Sequence, residues 1–226
     1  MRHLFLVIVL FGAGLRPANA ADAPAQMVIG EDSIEERLLI PRKLEPGRYE
    51  IQCEAVIGVN GSARNVVCYS FTDFPAPRRL QFAARHATRI SRFIPARRNG
   101  APIEVYALLM VIVDTRLDEP LILAVPNNGA EKARYGLLYT APQRYGRVVV
   151  SRPRLQLRMP HRPVVWMNLQ IDELGIVRHY TLTDQAEPEQ GWVDTIAEFV
   201  RQLTFLPGYH EGKPVPMLYT EPVLGK

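Results

Sequence analysis

Two long segments of the chain carry the same order of hydrophobic and polar positions. In each, apolar and polar residues alternate on both sides of a glycine turn, at Gly61 and at Gly175, and this period of two predicts a two-stranded hairpin. Each hairpin is followed by apolar residues at steps of three and four, which predict a helix with one buried face. The helix positions are Leu80, Ala83, Ala87, Ile90 and Ile94 in the first segment and Trp192, Ile196, Phe199, Val200 and Leu203 in the second.

One more strand is predicted after each helix. Val105 to Val113 is an unbroken apolar run, so we expect that strand to be covered on both faces. The last strand, Val215 to Thr220, is flanked or interrupted by Pro214, Pro216 and Pro222. Since proline cannot donate a hydrogen bond to a neighbouring strand, we expect this strand to lie at a sheet edge or to end early.

The motifs between helix and last strand are repeated as well. Phe93-Ile94-Pro95 and Asn99-Gly100 correspond to Phe205-Leu206-Pro207 and Glu211-Gly212, with equal spacing. An internal repeat of this kind defines an architecture, because each copy is then one supersecondary unit. The sequence predicts an α+β fold of two tandem ββαβ modules, each a small antiparallel sheet with one helix packed on a face.

The repeat divides the chain into five predicted parts. They are a signal peptide at 1–20, a loose leader at 21–35, a first module at 36–125, a connector at 126–146 with a strand at Leu121 to Val125 just before it, and a second module at 147–226.

The signal peptide is predicted from a short basic start, the apolar run Leu4 to Leu15 and the small residues Ala18-Asn19-Ala20. That run would rise only about 18 Å as a helix, well short of the roughly 30 Å hydrocarbon core of a bilayer. Cleavage after Ala20 and a periplasmic location are therefore favoured over an N-terminus that stays partly embedded in the membrane.

The two cysteines, Cys53 and Cys68, flank the first predicted turn. A pair of cysteines in an exported chain suggests one disulfide. If Asn60-Gly61 is a two-residue turn, the cysteines oppose each other across the hairpin. If the turn has a bulge at Gly61, the register slips by one residue and a bridge is harder to form. Two buried thiols are the alternative, because the corresponding positions of the second copy, Met167 and Leu182, are apolar.

The overall charge argues against nucleic acid as a partner. The sequence has 27 basic and 23 acidic residues, a formal net charge of +4, which is too balanced for that class. Locally, arginines stand without an acid between residues 78 and 98: Arg78, Arg79, Arg85, Arg89, Arg92, Arg97 and Arg98. They form either a solvated helix face or a basic face that meets an acidic protein or anionic lipid.

Both copies resemble the C-terminal domain of the TonB energy-transducer family. The resemblance is carried by an Asp-x-x-Gly hairpin turn, the helix, a Phe-x-Pro motif and a Gly-x-Pro turn before the last strand. The matching residues are Asp172, Gly175, Val177, Val193, Leu203, Phe205, Pro207, Gly212 and Pro214, and in the first copy Gly61, Phe93, Pro95, Ala96, Asn99, Gly100 and Pro102.

The six motif residues are expected to be structural. They are Phe93, Pro95, Gly100, Phe205, Pro207 and Gly212. In each copy the phenylalanine should plug the gap between helix and sheet, the proline should end the helix, and the glycine should turn the chain back into the sheet.

In that family the domain binds an extended segment at the periplasmic face of an outer-membrane transporter. The resemblance therefore implies recognition by strand addition, in which an exposed sheet edge offers its backbone groups to an incoming strand. On this sequence the implied edge is Met217, Leu218, Tyr219 and Thr220. The family's transducers also have an N-terminal membrane helix and a proline-rich spacer, whereas this sequence predicts a cleaved signal and no such spacer. We therefore expect a periplasmic binding protein and not an energy transducer.

No set of reactive residues accompanies either copy. The histidines lack ligand spacing and no nucleophile motif is found, so the sequence predicts no enzyme, no metal and no cofactor. The expected partner is a protein or peptide, for example an outer-membrane transporter, with contact to a membrane surface as an option. Two alternatives stay open: a periplasmic hydrolase or hydrolase subunit, and a purely structural scaffold whose sheet edges are all occupied by its own other copy.

Overall fold

The computed structural model describes residues 22–70, 75–146, 163–183 and 197–224. The predicted signal peptide, the predicted strand at 147–150 and most of the second predicted helix lie outside these residues. Within them the chain has an α+β fold in which strands dominate.

The elements are numbered in chain order. The strands are β1 (Gln26–Met27), β2 (Arg48–Ile57), β3 (Ala63–Tyr69), β4 (Phe93–Ile94), β5 (Ala96–Arg98), β6 (Ala101–Ile103), β7 (Val105–Asp114), β8 (Leu121–Val125), β9 (Tyr139–Thr140), β10 (Gln143–Tyr145), β11 (Pro163–Ile171), β12 (Val177–Thr183), β13 (Thr204–Leu206), β14 (Gly208–His210), β15 (Lys213–Val215) and β16 (Met217–Leu224). The helices are α1 (Ile34–Arg37), α2 (Arg78–Ile90), α3 (Lys132–Tyr135) and α4, described over 197–201.

The main sheet has the order β13-β10-β7-β2-β3, and β8 pairs with β7 beside β10. β7 is antiparallel to β2 from the Ile57–Val105 pair to the Arg48–Asp114 pair. Its alternate residues face two cores: Leu109 packs with α2, and Leu108 packs with the second half of the chain. The prediction that this strand is covered on both faces is confirmed.

The helix α2 is shorter than its apolar stripe predicted. Leu80, Ala84 and Ala87 are buried against the sheet, but Ile90 is 40% exposed and Ile94 50% exposed. The helix ends at Ile90 because the backbone of Ser91 is extended, with φ of −73° and ψ of 162°. The N–H of Ser91 makes the last helical bond, to the Ala87 carbonyl, and its hydroxyl donates to the same oxygen. The chain then turns into β4, so Pro95 does not end the helix.

A disulfide joins Cys53 to Cys68 across the first hairpin. Near the tip, Ile57 pairs with Ala63, so the register there is slipped by one residue relative to a two-residue turn. A bulge at Asn65, which has φ of 52°, adds one residue to β3. Beyond the bulge the two cysteines are therefore partners. The alternative of two free thiols is wrong. The bulge, which no turn rule predicts, is what brings the cysteines together.

The second sheet has the order β12-β11-β16. Met167 and Leu182 are partners in its hairpin, at the positions that correspond to the cysteines, and its register also shifts near the tip. Both hairpin tips touch the short strand that follows a helix in the same way. A Cβ on Gly61 would lie 2.0 Å from the Phe93 carbonyl oxygen, and one on Gly175 would lie 2.1 Å from that of Phe205.

The leader predicted to be loose is built into the fold from residue 22 onward. Ala23 pairs with Arg97, and β1 pairs with β4. Ala25 is buried, and the Gln143 side chain hydrogen-bonds both its N–H and its carbonyl, at 2.7 and 2.9 Å. The prediction failed because these two-residue strands are too short to show a period and their partners are distant in sequence.

The six motif residues lie at corresponding places in the two halves of the chain. Phe93 and Phe205 are buried, in the first and second cores respectively. Gly100 and Gly212 have positive φ in the two-residue loops between β5 and β6 and between β14 and β15. The two prolines separate short strands instead of ending helices: Pro95 lies between β4 and β5, and Pro207 between β13 and β14.

The second hairpin turn is held by the carboxylate of Asp172. Its Oδ1 accepts the N–H groups of Leu174 and Ile176 at 2.9 and 2.8 Å, and Oδ2 accepts from Arg178 Nε at 2.6 Å. Burial raises the pKa of Asp172, but the hydrogen bonds from Ile176, Arg178 and Leu174 together hold it below its usual value.

We expect Asp172→Asn to lower the free energy of unfolding by about 1 kcal/mol at pH 7, because the charged pair with Arg178 is lost. A lowered folded pKa stabilises the protein above the ordinary pKa of about 3.9, and this stabilisation is lost as the pH falls through the folded pKa. Denaturant unfolding from pH 7 to pH 2 should therefore show the two proteins converging in acid. Asp114, whose pKa a side-chain hydrogen bond from Arg116 lowers to about 2, is common to both and cancels. A constant difference would contradict the assigned role.

Candidate functional site

The predicted edge residues lie on β16, an outer strand of the second sheet. Met217 is the partner of Ile171 and Tyr219 the partner of Leu169, all on one side of β16. In the part of the chain that is described, no strand pairs with the other side. The prediction that the proline-flanked last strand lies at a sheet edge agrees with this arrangement.

The edge residues alternate in their roles. Met217 and Tyr219 are buried, and the Tyr219 ring meets the Phe205 ring edge-on at a centroid distance of 4.9 Å. Leu218 and Thr220 are half-buried, and their backbone groups point away from β11, as the contacts below show. Recognition at this edge would thus use the backbone of Leu218 and Thr220, while Met217 and Tyr219 anchor the strand in the core.

Side chains of the connector contact this outer side of β16. Glu131 Oε1 accepts the Leu218 N–H at 2.7 Å, and Asn128 Nδ2 donates to the Thr220 carbonyl at 2.5 Å. Tyr135 donates its hydroxyl to the Pro216 carbonyl at 3.1 Å. The backbone groups that an incoming strand would use are therefore engaged by single side chains from residues 128–135.

The connector is itself held in place by buried polar groups. The fully buried Asn127 donates through Nδ2 to the carbonyls of Leu137 and Tyr139, at 2.8 and 3.0 Å. The Tyr139 hydroxyl accepts the Glu131 N–H at 3.0 Å. Burial raises the pKa of Tyr139 to about 12, so the phenol stays protonated and neutral at physiological pH. The hydrogen bond from its backbone N–H to Tyr139 thus holds Glu131 in place beside β16.

The corresponding side of β7 in the first half is covered differently. β8 pairs with its Met110–Asp114 part, and Arg144 and Tyr145 of β10 pair with Tyr106 and Val105. Backbone ladders occupy that edge, which agrees with the expectation that so apolar a strand is not left open. Of the two last strands, only β16 has an outer side contacted by side chains and not by a strand, within the described ranges.

The arginines between residues 78 and 98 are all exposed. Arg79 donates to the Lys43 carbonyl, Arg97 donates to the Gly100 carbonyl at 2.8 Å, and the Arg98 guanidinium lies 4.7 Å from the centroid of the Tyr145 ring. None of the seven is ion-paired with an acid among the residues that the structure describes. The seven arginines are therefore accessible, and the basic face that meets an acidic protein or anionic lipid stays a prediction.

A cavity of about 800 Å³ lies beside β7, with Tyr106, Arg144 and Phe199 in its wall. The Arg144 guanidinium stacks 4.5 Å from the Tyr106 ring centroid and 5.6 Å from that of Phe199. Nearby, the buried Glu54 carboxylate accepts hydrogen bonds from the hydroxyls of Tyr69 and Tyr106. A hydrolase would need a nucleophile hydrogen-bonded to a base, and no described serine or threonine hydroxyl is bonded to a histidine ring. The hydrolase alternative gains no support from this cavity.

The described residues contain neither a metal-binding cluster nor a helix that could span a membrane. Their His, Cys, Asp and Glu side chains form no group of three suited to hold a metal ion. None of the described helices combines the length and apolar character needed to cross a bilayer.

Sequence reasoning located the edge but missed what covers it. Asn128 and Glu131 stand in a polar loop, and the residues they contact are 92 and 87 positions away in sequence. No local pattern marks such a contact. Tyr135 is one of several tyrosines in this segment that follow no helix or strand period.

Comparisons of this chain with protein-family models, with curated proteins and with solved structures return no match.

Proposed function

We propose that this chain is a non-enzymatic, exported protein of two tandem ββαβ modules that binds extended peptide segments by strand addition at β16. It would act in the periplasm, and segments of outer-membrane transporters are candidate ligands. The observation that carries the proposal is that β16 pairs with β11 on one side and meets only side chains of the described residues on the other.

The modular part of the proposal is supported by matching strand orders. The first half contains β3-β2-β7 and the second β12-β11-β16, so in both the hairpin's first strand lies between its partner and the last strand. Gly61 and Gly175 make the same close approach to a phenylalanine carbonyl. The loops Asn99-Gly100 and Glu211-Gly212 both have positive φ at both residues.

A bound peptide would replace the connector side chains on β16. The Asn128 amide and the Glu131 carboxylate occupy the hydrogen-bonding positions at Thr220 and Leu218 that the backbone of an added strand would take. The peptide and the connector therefore compete for one position. Each side-chain hydrogen bond contributes about 0.5–1.5 kcal/mol net, or more for the charged Glu131, and backbone bonds of the peptide would offset the loss.

The test uses a displayed library of unstructured peptides of about 10 residues, long enough to form one strand. We expect Leu218→Pro, which removes the N–H that points outward, to weaken binding of selected peptides about tenfold or more, because one ladder bond is lost and the proline ring hinders approach. Leu218→Ala keeps the amide and should bind normally. Tyr219 is unsuitable for this purpose, since its ring is fully buried. Unchanged capture by a folded Leu218→Pro protein would contradict the proposal.

The same experiment separates a binding edge from a purely structural one. Glu131→Ala removes the competitor for the Leu218 amide, so the peptides should bind about threefold to tenfold more tightly. If the edge only holds the connector, as in the scaffold alternative, Glu131→Ala will lower stability without any gain in affinity.

A further inference from the structure

The outer edge of β3, at the end of the main sheet away from β13, is a second strand edge. β3 ends the strand order, and β2 is its only strand partner among the described residues. The Cα atoms of Cys53 and Cys68 are 4.1 Å apart, the short spacing of a pair that exchanges no backbone hydrogen bonds. The N–H and carbonyl of Cys68 therefore point away from β2, outward from the sheet.

The helix α2 forms a wall beside this edge. A groove of about 290 Å³ runs between them, lined by Val67, Cys68, Arg78, Gln81, Phe82 and Arg85. Phe82 is 62% exposed and Val67 44% exposed. An edge strand with an adjoining helix and an exposed ring between them is the arrangement that takes an extended peptide: the strand supplies backbone pairing and the groove takes a side chain.

The wall of the groove is basic. Arg78, Phe82, Arg85 and Arg89 follow one another at helical steps of three and four along α2, so they share one face. The helix contains no acid, in its first turn or elsewhere. A positive helix N-terminus adds to the field of these side chains. The complementary ligand carries carboxylates.

We propose that the β3–α2 groove binds an acidic extended peptide as an added strand. Its backbone pairs with the outward groups at Cys68, an apolar side chain rests on Phe82, and its carboxylates meet Arg78 and Arg85. The groove is concave and has a backbone edge as its floor, which suits a peptide chain better than the flat surface of an anionic bilayer. This site lies on another sheet and another half of the chain than β16, and it selects its ligand by charge.

The probe is a fluorescent heptapeptide of alternating Glu and Val, and its control has Lys in place of Glu. Fluorescence anisotropy at low salt should show binding of the acidic peptide only, weakening severalfold as ionic strength rises from about 0.05 to 0.5 M. Arg78→Gln with Arg85→Gln should reduce affinity about fivefold to tenfold, and Phe82→Ala should reduce it comparably. Arg201→Gln with Lys213→Gln removes the same charge from exposed positions elsewhere and should have little effect.

Backbone pairing is tested on the peptide, so that no protein variant has to fold. N-methylation of alternate residues along one edge of the heptapeptide should abolish binding, whereas methylation along the other edge should not. Leu218→Pro should leave this binding unchanged, which separates it from the function proposed at β16.

Three results would overturn the proposal. The first is equal loss of affinity in the Arg78/Arg85 and Arg201/Lys213 double variants. The second is full binding of peptides methylated on either edge. The third is no peptide binding but binding to vesicles of phosphatidylglycerol that Phe82→Ala abolishes, which would make the face a lipid-contacting surface.

Discussion

Replacing Gly61 with alanine is expected to lower the free energy of unfolding by about 3 kcal/mol, one of the largest effects of any single change in this protein. Gly61 has φ of 75°, where a side chain costs about 1 kcal/mol or more by itself. The new Cβ would also lie 2.0 Å from the Phe93 carbonyl oxygen. That oxygen belongs to the backbone, so either the hairpin tip or β4 must move, and the bond from Phe93 N–H to the Gly61 carbonyl at 2.9 Å is weakened.

The chain supplies a matched control for this change. Gly212 has nearly the same φ, 74°, but nothing lies within 4 Å of the position its Cβ would take. Gly212→Ala therefore measures the conformational cost alone, about 1 kcal/mol. Denaturant unfolding of both variants separates the close contact from backbone strain. Equal losses would show that the contact with Phe93 is not what requires glycine.

The same experiment at Gly175 compares the two halves. Its Cβ would lie 2.1 Å from the Phe205 carbonyl oxygen, and its φ is 79°. A loss similar to that of Gly61→Ala is expected, because the hairpin tip and the short strand after the helix meet in the same way. The sequence pointed to both glycines as turn residues, but the approach of a distant carbonyl, which makes alanine costly there, is not visible in a local pattern.

Long elements with a clear period could be predicted from the sequence. β7 was recognisable because nine residues in a row, from Val105 to Val113, are apolar or nearly so, and such a run is stable only when covered on both faces. The hairpins were recognisable from alternation around a glycine. In both cases the apolar positions that indicate the type of element are also the positions that are buried in the core. A prediction from the local sequence therefore agrees with the packing.

Elements made by distant contacts could not be predicted. β1 has two residues, and it is a strand only because β4 is there to pair with it. Ala25 is fixed by the side chain of Gln143. The end of α2 was misjudged for a related reason: Ile90 and Ile94 continue the apolar period, but the backbone becomes extended at Ser91, and the chain then pairs with β1.

The same distinction holds for the candidate edge: the strand could be predicted from the sequence, but the side chains that contact it could not. Prolines near Met217 predicted an edge strand, since a proline there interrupts pairing on one side. The outer side of β16 is contacted by Asn128, Glu131 and Tyr135, which belong to a polar segment typical of solvent-exposed positions. A polar side chain that hydrogen-bonds to the backbone of a distant strand has no recognisable pattern in the residues next to it in sequence, because its role depends on that strand.

Removing the disulfide is expected to lower the free energy of unfolding by about 3 kcal/mol. Cys53 and Cys68 are 15 residues apart, and closing a loop of that size restricts the unfolded chain by about this amount. Cys53→Ala with Cys68→Ala adds a smaller loss from packing, since Cys53 is buried beside Leu109. Denaturant unfolding with and without a reductant measures the effect: reductant should destabilise the wild-type protein and leave the double variant unchanged.

The double variant also tests whether the disulfide or the strand register determines the direction of the Cys68 backbone groups. The bulge at Asn65 sets Cys68 opposite Cys53 through backbone geometry, so the outward direction of the Cys68 amide does not depend on the sulfur atoms. The folded fraction of the double variant should therefore bind the acidic heptapeptide with wild-type affinity while unfolding at lower denaturant. Loss of peptide binding in a variant that is still folded would mean that the disulfide, and not the bulge, fixes this edge.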